Sequence, residues 1–266
     1  NVVLADVDKN AVQQVAESCT NILERNFNNN GDGIVTDNRH HLLPQAIPVV
    51  CDVTNKCEVR SLIRDADELA KEVSSSFKAG ITKDGLVHTI SLHDYETVLN
   101  VNLKGTFLAC QAYCAPPRLE LMCETPTEKG LSIINIGSII SESGNVGQTN
   151  YAASKGGVVG LTRALAKEMA FLSSRMMDSK KRGVTDESIE EALPFLRVNA
   201  ILPGFISSPM SDAVPQRTQA RIRKKIALKR FGKVDDVANL ALFLASTERS
   251  GYVTGECLEC SGMTSL

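Results

Sequence analysis

Two hydrophobic rhythms alternate along the chain. Short β-branched runs are followed by stretches in which apolar residues return every three or four positions. NVVLADV opens the series and predicts a strand ending in Asp6, followed by a helical stretch from about Asn10 to Arg25. AIPVVCDVT predicts a second strand ending in Asp52. Val59, Leu62, Ile63, Ala66, Leu69, Ala70 and Val73 keep helical spacing, so residues 55–77 are expected to form one helix. Residues 92–114 read as a long helix, LSIINIGS as a buried strand and residues 151–171 as a further helix. RVNAILPG is a strand stopped by Pro203-Gly204, residues 235–245 are helical, and the CLEC region closes the chain as a strand. Strands alternating with helices predict an α/β fold in which helices cover both faces of a parallel sheet. A length of 266 residues suits one such domain over 1–266.

Composition adds little chemistry and removes several possibilities. Hydrophobic residues make up 43% and charged residues 23%, as in ordinary globular proteins. A net charge of −2 gives no electrostatic case for nucleic acid or an anionic membrane. No apolar run reaches membrane-spanning length, and no signal peptide is read at the start. The eight cysteines do not read as a disulfide framework. Cys110 and Cys114 fall on an apolar helix pattern and Cys51 ends an apolar strand, which suits reduced thiols in an intracellular protein. Cys257 and Cys260 lack a second pair, and the four histidines lie far away in sequence, so no metal is expected. NNNGDGIVT resembles the start of a calcium loop, but Asn28 and Arg39 stand where acids are needed. It is read as a polar connecting loop.

The candidate chemistry sits in NVGQTNYAASKGGVVGLT. Tyr151 and Lys155 stand at i and i+4, so both side chains share one helix face. A free phenol titrates near 10 and is a poor base at neutrality; an adjacent ammonium favours the phenolate and is expected to lower that value. The pair can then give or take a proton. Alone it could be an ordinary surface Tyr–Lys pair. Ser138 closes the SIINIGS strand, at the carboxyl end where open parallel sheets meet their ligands, and its hydroxyl could hold a carbonyl oxygen. Asn102, in NVNLKGTF, is a mid-helix asparagine that needs a reason beyond solvation. The four in this order are far more specific than any one. A serine hydrolase built on Ser138 and Lys155 finds no GxSxG elbow to support it.

NVNLKGTF, SIINIGS, GQTNYAASKGGVVGLTRALAKE, VNAILPGFISSPM and GYVTGE occur in the order found in short-chain dehydrogenases/reductases, and the chain resembles that family over most of its length. The resemblance implies a Rossmann-like, doubly wound sheet and hydride transfer between a nicotinamide and a carbonyl carbon. It implies Tyr151 as general acid/base, Lys155 as its pKa partner and ribose ligand, Ser138 as orienter of the substrate oxygen, and Asn102 as holder of a water. Asp6, at a strand end, would accept hydrogen bonds from the adenosine ribose; no arginine follows in DVDKN, so NAD is expected rather than NADP. Asp52 would meet the adenine, and Pro203, Gly204, Ile206 and Ser208 would line the nicotinamide. Strand-end turn or cap roles compete for each aspartate. The nearest members act on 17β-hydroxysteroids or on 3-oxoacyl thioesters in the mitochondrial matrix. The implied function is therefore an NAD(H)-dependent ketone–alcohol interconversion on one of those substrates. The alternative is a non-catalytic or cofactor-binding subunit of a hetero-tetrameric reductase with a related partner.

Two departures from the family pattern stand out. The glycine-rich pyrophosphate turn belongs ahead of NVVLADV, so the molecule is expected to carry residues beyond these 266. In SSSFKAGITKDG the helix end leads directly to Ala79-Gly80, so a strand of about five or six residues is expected to be missing from the sheet. Segments 26–45, 116–130 and 173–196 are longer than the family norm, and Ile189, Ala192, Leu193 and Leu196 in the last are spaced for an amphipathic helix. Residues 204–225, with Phe205, Ile206, Met210 and Val214, are expected to be a substrate loop suited to an apolar or acyl substrate. Gly156 and Gly157 suggest close approach of another helix, which the family resemblance assigns to a dimer mate, in a dimer or tetramer.

Overall fold

The computed structural model describes residues 2–6, 46–50, 53–61, 74–77, 80–115, 131–181, 196–207 and 215–264. The helix expected from Asn10, the calcium-like loop, Cys51, Asp52, residues 116–130, Ile189, Ala192, Leu193, Ser208, Met210 and Val214 lie outside them.

Among the described residues, six parallel strands form the sheet: β1 (Val2–Asp6), β2 (Ala46–Val50), β3 (Ser74–Phe77), β4 (Ser132–Ile136), β5 (Arg197–Pro203) and β6 (Cys257–Cys260). Their order is β2-β1-β3-β4-β5-β6. The first two match the apolar runs that predicted them. The third does not: SSSF reads as the end of a helix, yet it pairs with β1 through Val2↔Ser74 and with β4 through Ser76↔Ile134. The place of the strand expected to be missing is thus taken by Ser74–Phe77. β1 and β4 each present a row of unpaired amides and carbonyls, and an extended segment between them satisfies both edges at once. That demand outweighs the poor β propensity of three serines.

The α-helices named for the described residues are α1 (Leu92–Leu99), α2 (Gly105–Tyr113), α3 (Ile140–Ser143), α4 (Thr149–Lys181), α5 (Gln216–Lys225), α6 (Val234–Ala245) and α7 (Thr247–Ser250). The helix expected over 92–114 is interrupted by a π-helical turn at Asn100–Lys104. The helix expected to stop at 171 continues as α4 to Lys181. Part of the expected substrate loop is helical, as α5.

Alternation along β4 and β5 builds a core on each face of the sheet. Ile133 and Val198 face α2 and α4 in a cluster with Leu108, Tyr113, Leu165 and Met169. Ile134 and Ile201 face α6 with Leu244. Cys257 packs with the Val159–Ala200–Leu202 cluster and Cys260 with the Ile134–Ile201–Leu244 cluster, so CLEC places its thiols on opposite faces of β6. Gly157 answers to this chain itself: a Cβ there would stand 2.6 Å from Leu103 Cδ2 on the π-turn. The close approach behind that glycine is intramolecular.

Burial, then the neighbouring Cys114, pushes the Cys110 thiol up to about 12, against a smaller lowering by Asn135. Cys57 is exposed and unbridged. Near pH 8 Cys110 is almost wholly protonated and inaccessible. A thiol alkylating reagent should therefore modify Cys57 and leave Cys110 intact in the folded protein, as read by peptide mass mapping. Modification of Cys110 ahead of Cys57 would contradict the packing.

Candidate active site

All six strands run the same way, so their carboxyl ends share one edge of the sheet. β4 ends at Ile136, and Gly137 and Ser138 continue past it. The Gly137 amide donates to Ile201 O at 2.8 Å and the Ile139 amide to Pro203 O at 3.2 Å, which sets Ser138 beside the Pro203-Gly204 turn. Ser138 is buried and its hydroxyl accepts from the Ile140 amide at 3.2 Å, at the start of α3.

Asn102 lies in the π-turn, where a wider winding turns a helical side chain inward. It is completely buried. Its Oδ1 accepts from the Ile81 amide at 2.9 Å, and its Nδ2 donates to Ile81 O at 3.1 Å and Ser154 Oγ at 3.0 Å. Ser154 in turn donates to Tyr151 O at 2.8 Å. Asn102 thus braces the 80–85 loop against the Tyr151 turn of α4. This is the reason that a mid-helix asparagine needed.

Tyr151 and Lys155 share the face of α4 that meets β4. Lys155 is 3% exposed; its Nζ lies 5.9 Å from the Tyr151 ring centroid and donates to Ile136 O at 2.9 Å. The expectation of a lowered phenol needs correction. Burial raises the Tyr151 pKa, a hydrogen bond with Ser138 lowers it, and the Asp84 carboxylate raises it. The buried phenol is therefore held in its neutral acid form through neutrality. Its contribution to stability is present below the ordinary value of about 10 and is lost as pH rises through the higher folded value. A phenolate absorbance titration should show a late-ionising component that is diminished in Tyr151→Phe. Ser138→Ala should move that midpoint higher still; an unchanged or lower midpoint would remove Ser138 from contact with the phenol.

A second set of bonds, not found in the sequence, staples the 80–85 loop to the start of α4. Gln148 Nε2 donates to both Asp84 oxygens at 3.1 Å, Asn150 Nδ2 to Lys83 O at 2.9 Å, and the Gly85 amide to Gly147 O at 2.8 Å. Asp84 thereby enters the electrostatics of Tyr151. The only hint in the sequence was the run of amide side chains just before the tyrosine, and periodicity says nothing about their partners.

The cofactor-side residues are brought to the same edge in part. Asp6 ends β1 there, and Pro203 and Gly204 end β5. The Gly204 backbone packs directly on Ser261, where a Cβ would meet Cα at 2.8 Å. Ile206 pairs with Gly232. At Gly80 a Cβ would stand 3.4 Å from Lys155 Nζ and 3.8 Å from Asn102 Oδ1, so glycine keeps the ground above the ammonium open. An ammonium, two hydroxyls and unbranched backbone suit a polyhydroxylated, planar group such as a nicotinamide riboside.

Comparison with known proteins identifies the family and agrees with the fold. The family profile described as short chain dehydrogenase matches residues 9–173, and one described as enoyl-(acyl carrier protein) reductase matches residues 190–263. A 3-oxoacyl-[acyl-carrier-protein] reductase of Thermotoga maritima is 35% identical over 81% of this chain and 75% of its own length. A human (3R)-3-hydroxyacyl-CoA dehydrogenase is 42% identical over 69% of this chain; the match spans 59% of the human protein. The crystal structure of a 3-oxoacyl-[acyl-carrier protein] reductase from Brucella melitensis superposes with a TM-score of 0.69 at 25% identity, covering 100% of this chain and 82% of that one. With its parallel sheet and its serine, tyrosine and lysine gathered at the carboxyl edge, the chain belongs to the short-chain dehydrogenase family of nicotinamide-dependent oxidoreductases.

Proposed function

We propose that the protein interconverts a 3-oxoacyl thioester and its 3-hydroxyacyl counterpart, using NAD(H). The observation that carries this reading is the gathering of Ser138, Tyr151 and Lys155 at one sheet edge, braced by Asn102. The names of the relatives supply the substrate class and favour the thioester over the steroid. A bound nicotinamide would supply or accept the hydride at the substrate carbon. Ser138 would hold the substrate oxygen. Tyr151, kept protonated by burial, would give that oxygen its proton in reduction and take it back in oxidation. Lys155 would hold the nicotinamide ribose and stabilise the phenolate left behind. Holding a proton-relay water is the role proposed for Asn102 beyond its bracing.

Asp6 at the end of β1 supports NAD: a carboxylate there accepts from ribose hydroxyls and repels a 2′-phosphate. Phe107, Phe171 and Leu172 are exposed on α2 and α4, and a second copy of the chain would cover them. A hetero-tetramer with a related reductase is the other assembly to test.

The test combines calorimetric titration of NADH and NADPH with turnover of an acetoacetyl thioester, followed by nicotinamide absorbance. Preferential NADH binding with thioester turnover is expected. NADH binding with no turnover of any thioester would leave a cofactor-binding subunit. Faster turnover of a 17β-hydroxysteroid would replace the substrate class, and tighter NADPH binding would overturn the role of Asp6.

A further inference from the structure

Residues 216–233 hold eight lysines and arginines and no acid, in a chain of net charge −2. α5 occupies most of that stretch and buries none of its residues. Some cations there have work within the fold. The Arg223 guanidinium lies 5.0 Å from the Phe231 ring centre, and Arg230 grips Asp236 at 2.6 and 3.1 Å. Arg217, Arg221, Lys224 and Lys225 do not: all are exposed, and no carboxylate pairs with them among the described residues. At i, i+4, i+7 and i+8 they form one stripe about 12 Å long.

Helix stability accounts for Lys224 and Lys225, which stand in the last turn where the dipole favours cations, but not for Arg217 and Arg221. Arg217 stands in the first turn, where the helix dipole disfavours a cation. Arg217 and Arg221, and Arg221 and Lys225, are like charges four residues apart and repel. The stripe is also moored at the substrate edge of the sheet. Ile206 pairs with Gly232, the Ser207 amide donates to Gly232 O at 2.8 Å, and the Phe205 ring lies 6.2 Å from Phe231, under Arg223. Phe205 directly follows Gly204. The surface is a convex helix with charge spread along it, which suits an extended acidic protein face rather than a pocket for one phosphate.

We propose that α5 is a docking surface for the acidic face of an acyl carrier protein, which presents its thioester to the site beside Ser138 and Tyr151. The proposal rests on the thioester reading above. The test uses the full chain and Arg217→Glu/Arg221→Glu, with 3-oxobutyryl groups carried by acyl carrier protein, by coenzyme A and by N-acetylcysteamine. The variant should lose about tenfold or more in kcat/KM with the carrier-borne substrate, through KM, and stay within about twofold on N-acetylcysteamine. In the parent protein the advantage of the carrier should fade as salt rises from about 0.05 to 0.5 M. Equal losses on all three substrates, no loss, or a loss confined to the coenzyme A ester would overturn the proposal. If the parent turns over none of the three, the thioester reading fails by itself. Interferometry with acyl-free carrier protein then decides docking: salt-sensitive binding lost in the variant upholds it, and absence of binding to the parent overturns it.

Discussion

Tyr151→Phe should lower kcat in both directions by roughly 10²–10⁴-fold while nicotinamide binding stays nearly unchanged. The substitution removes one hydroxyl and keeps the ring that lies 5.9 Å from Lys155 Nζ. The α4 backbone around it is held by Ser154, which donates to Tyr151 O and accepts from Asn102, and neither bond involves the phenol. Packing and cofactor contacts therefore persist, and only the proton transfer is lost. The pH dependence should be asymmetric. Burial favours the neutral phenol, so reduction should be nearly flat through neutrality. Oxidation needs the phenolate and should rise up to tenfold per pH unit until the phenol of the cofactor complex ionises. Rates of reduction and oxidation from pH 6 to 10, with calorimetry of NADH on the variant, check both statements. Retention of more than a tenth of the activity would take the proton-transfer role from Tyr151.

Asn102→Leu should damage both stability and activity, although the volume hardly changes. The leucine would leave the Ile81 amide and carbonyl facing an apolar group inside the protein. Each buried, unsatisfied group costs about 1–3 kcal/mol, so a loss of roughly 2–5 kcal/mol is expected. For a domain of this size that corresponds to a fall in Tm of about 5–15 °C. The 80–85 loop and the Ser154–Tyr151 turn would also lose their brace. A displacement of about 1 Å at reacting groups can cost on the order of 10²-fold in rate. Thermal unfolding and turnover of the folded fraction separate the two effects. A Tm within about 2 °C of the parent would mean that water replaces the side chain, and that the brace is not what holds the loop.

What could be read locally was read correctly where the local signal was strong. The β-branched runs of β1, β2, β4 and β5 appear where alternation and turn residues put them. Tyr151 and Lys155 share a face because i and i+4 always do on a helix. Ser138 meets them because every parallel strand delivers its carboxyl end to the same edge. Where the chain depends on distant partners, the reading failed. Nothing within SSSF predicts a strand; the unpaired edges of β1 and β4 make it one. Nothing in NVNLK announces a π-turn, and Asn102 explains itself only once Ile81 and Ser154 are beside it.

The same division runs through the chemistry. By itself the sequence determined which groups are available: a phenol, an ammonium, a hydroxyl and an amide at spacings that regular secondary structure converts into faces and ends. The tertiary structure alone decided how those groups behave. Burial outweighs the Ser138 hydrogen bond and keeps Tyr151 protonated, while Asp84, sixty-seven positions away in sequence, adds to that effect through a loop stapled by Gln148. Gly157 gives room to Leu103, fifty-four positions earlier in the chain. Periodicity and turn chemistry act over a few residues and survive in the sequence as patterns. Solvation, edge pairing and electrostatic neighbourhood depend on which distant segments meet, and only the folded chain brings those together.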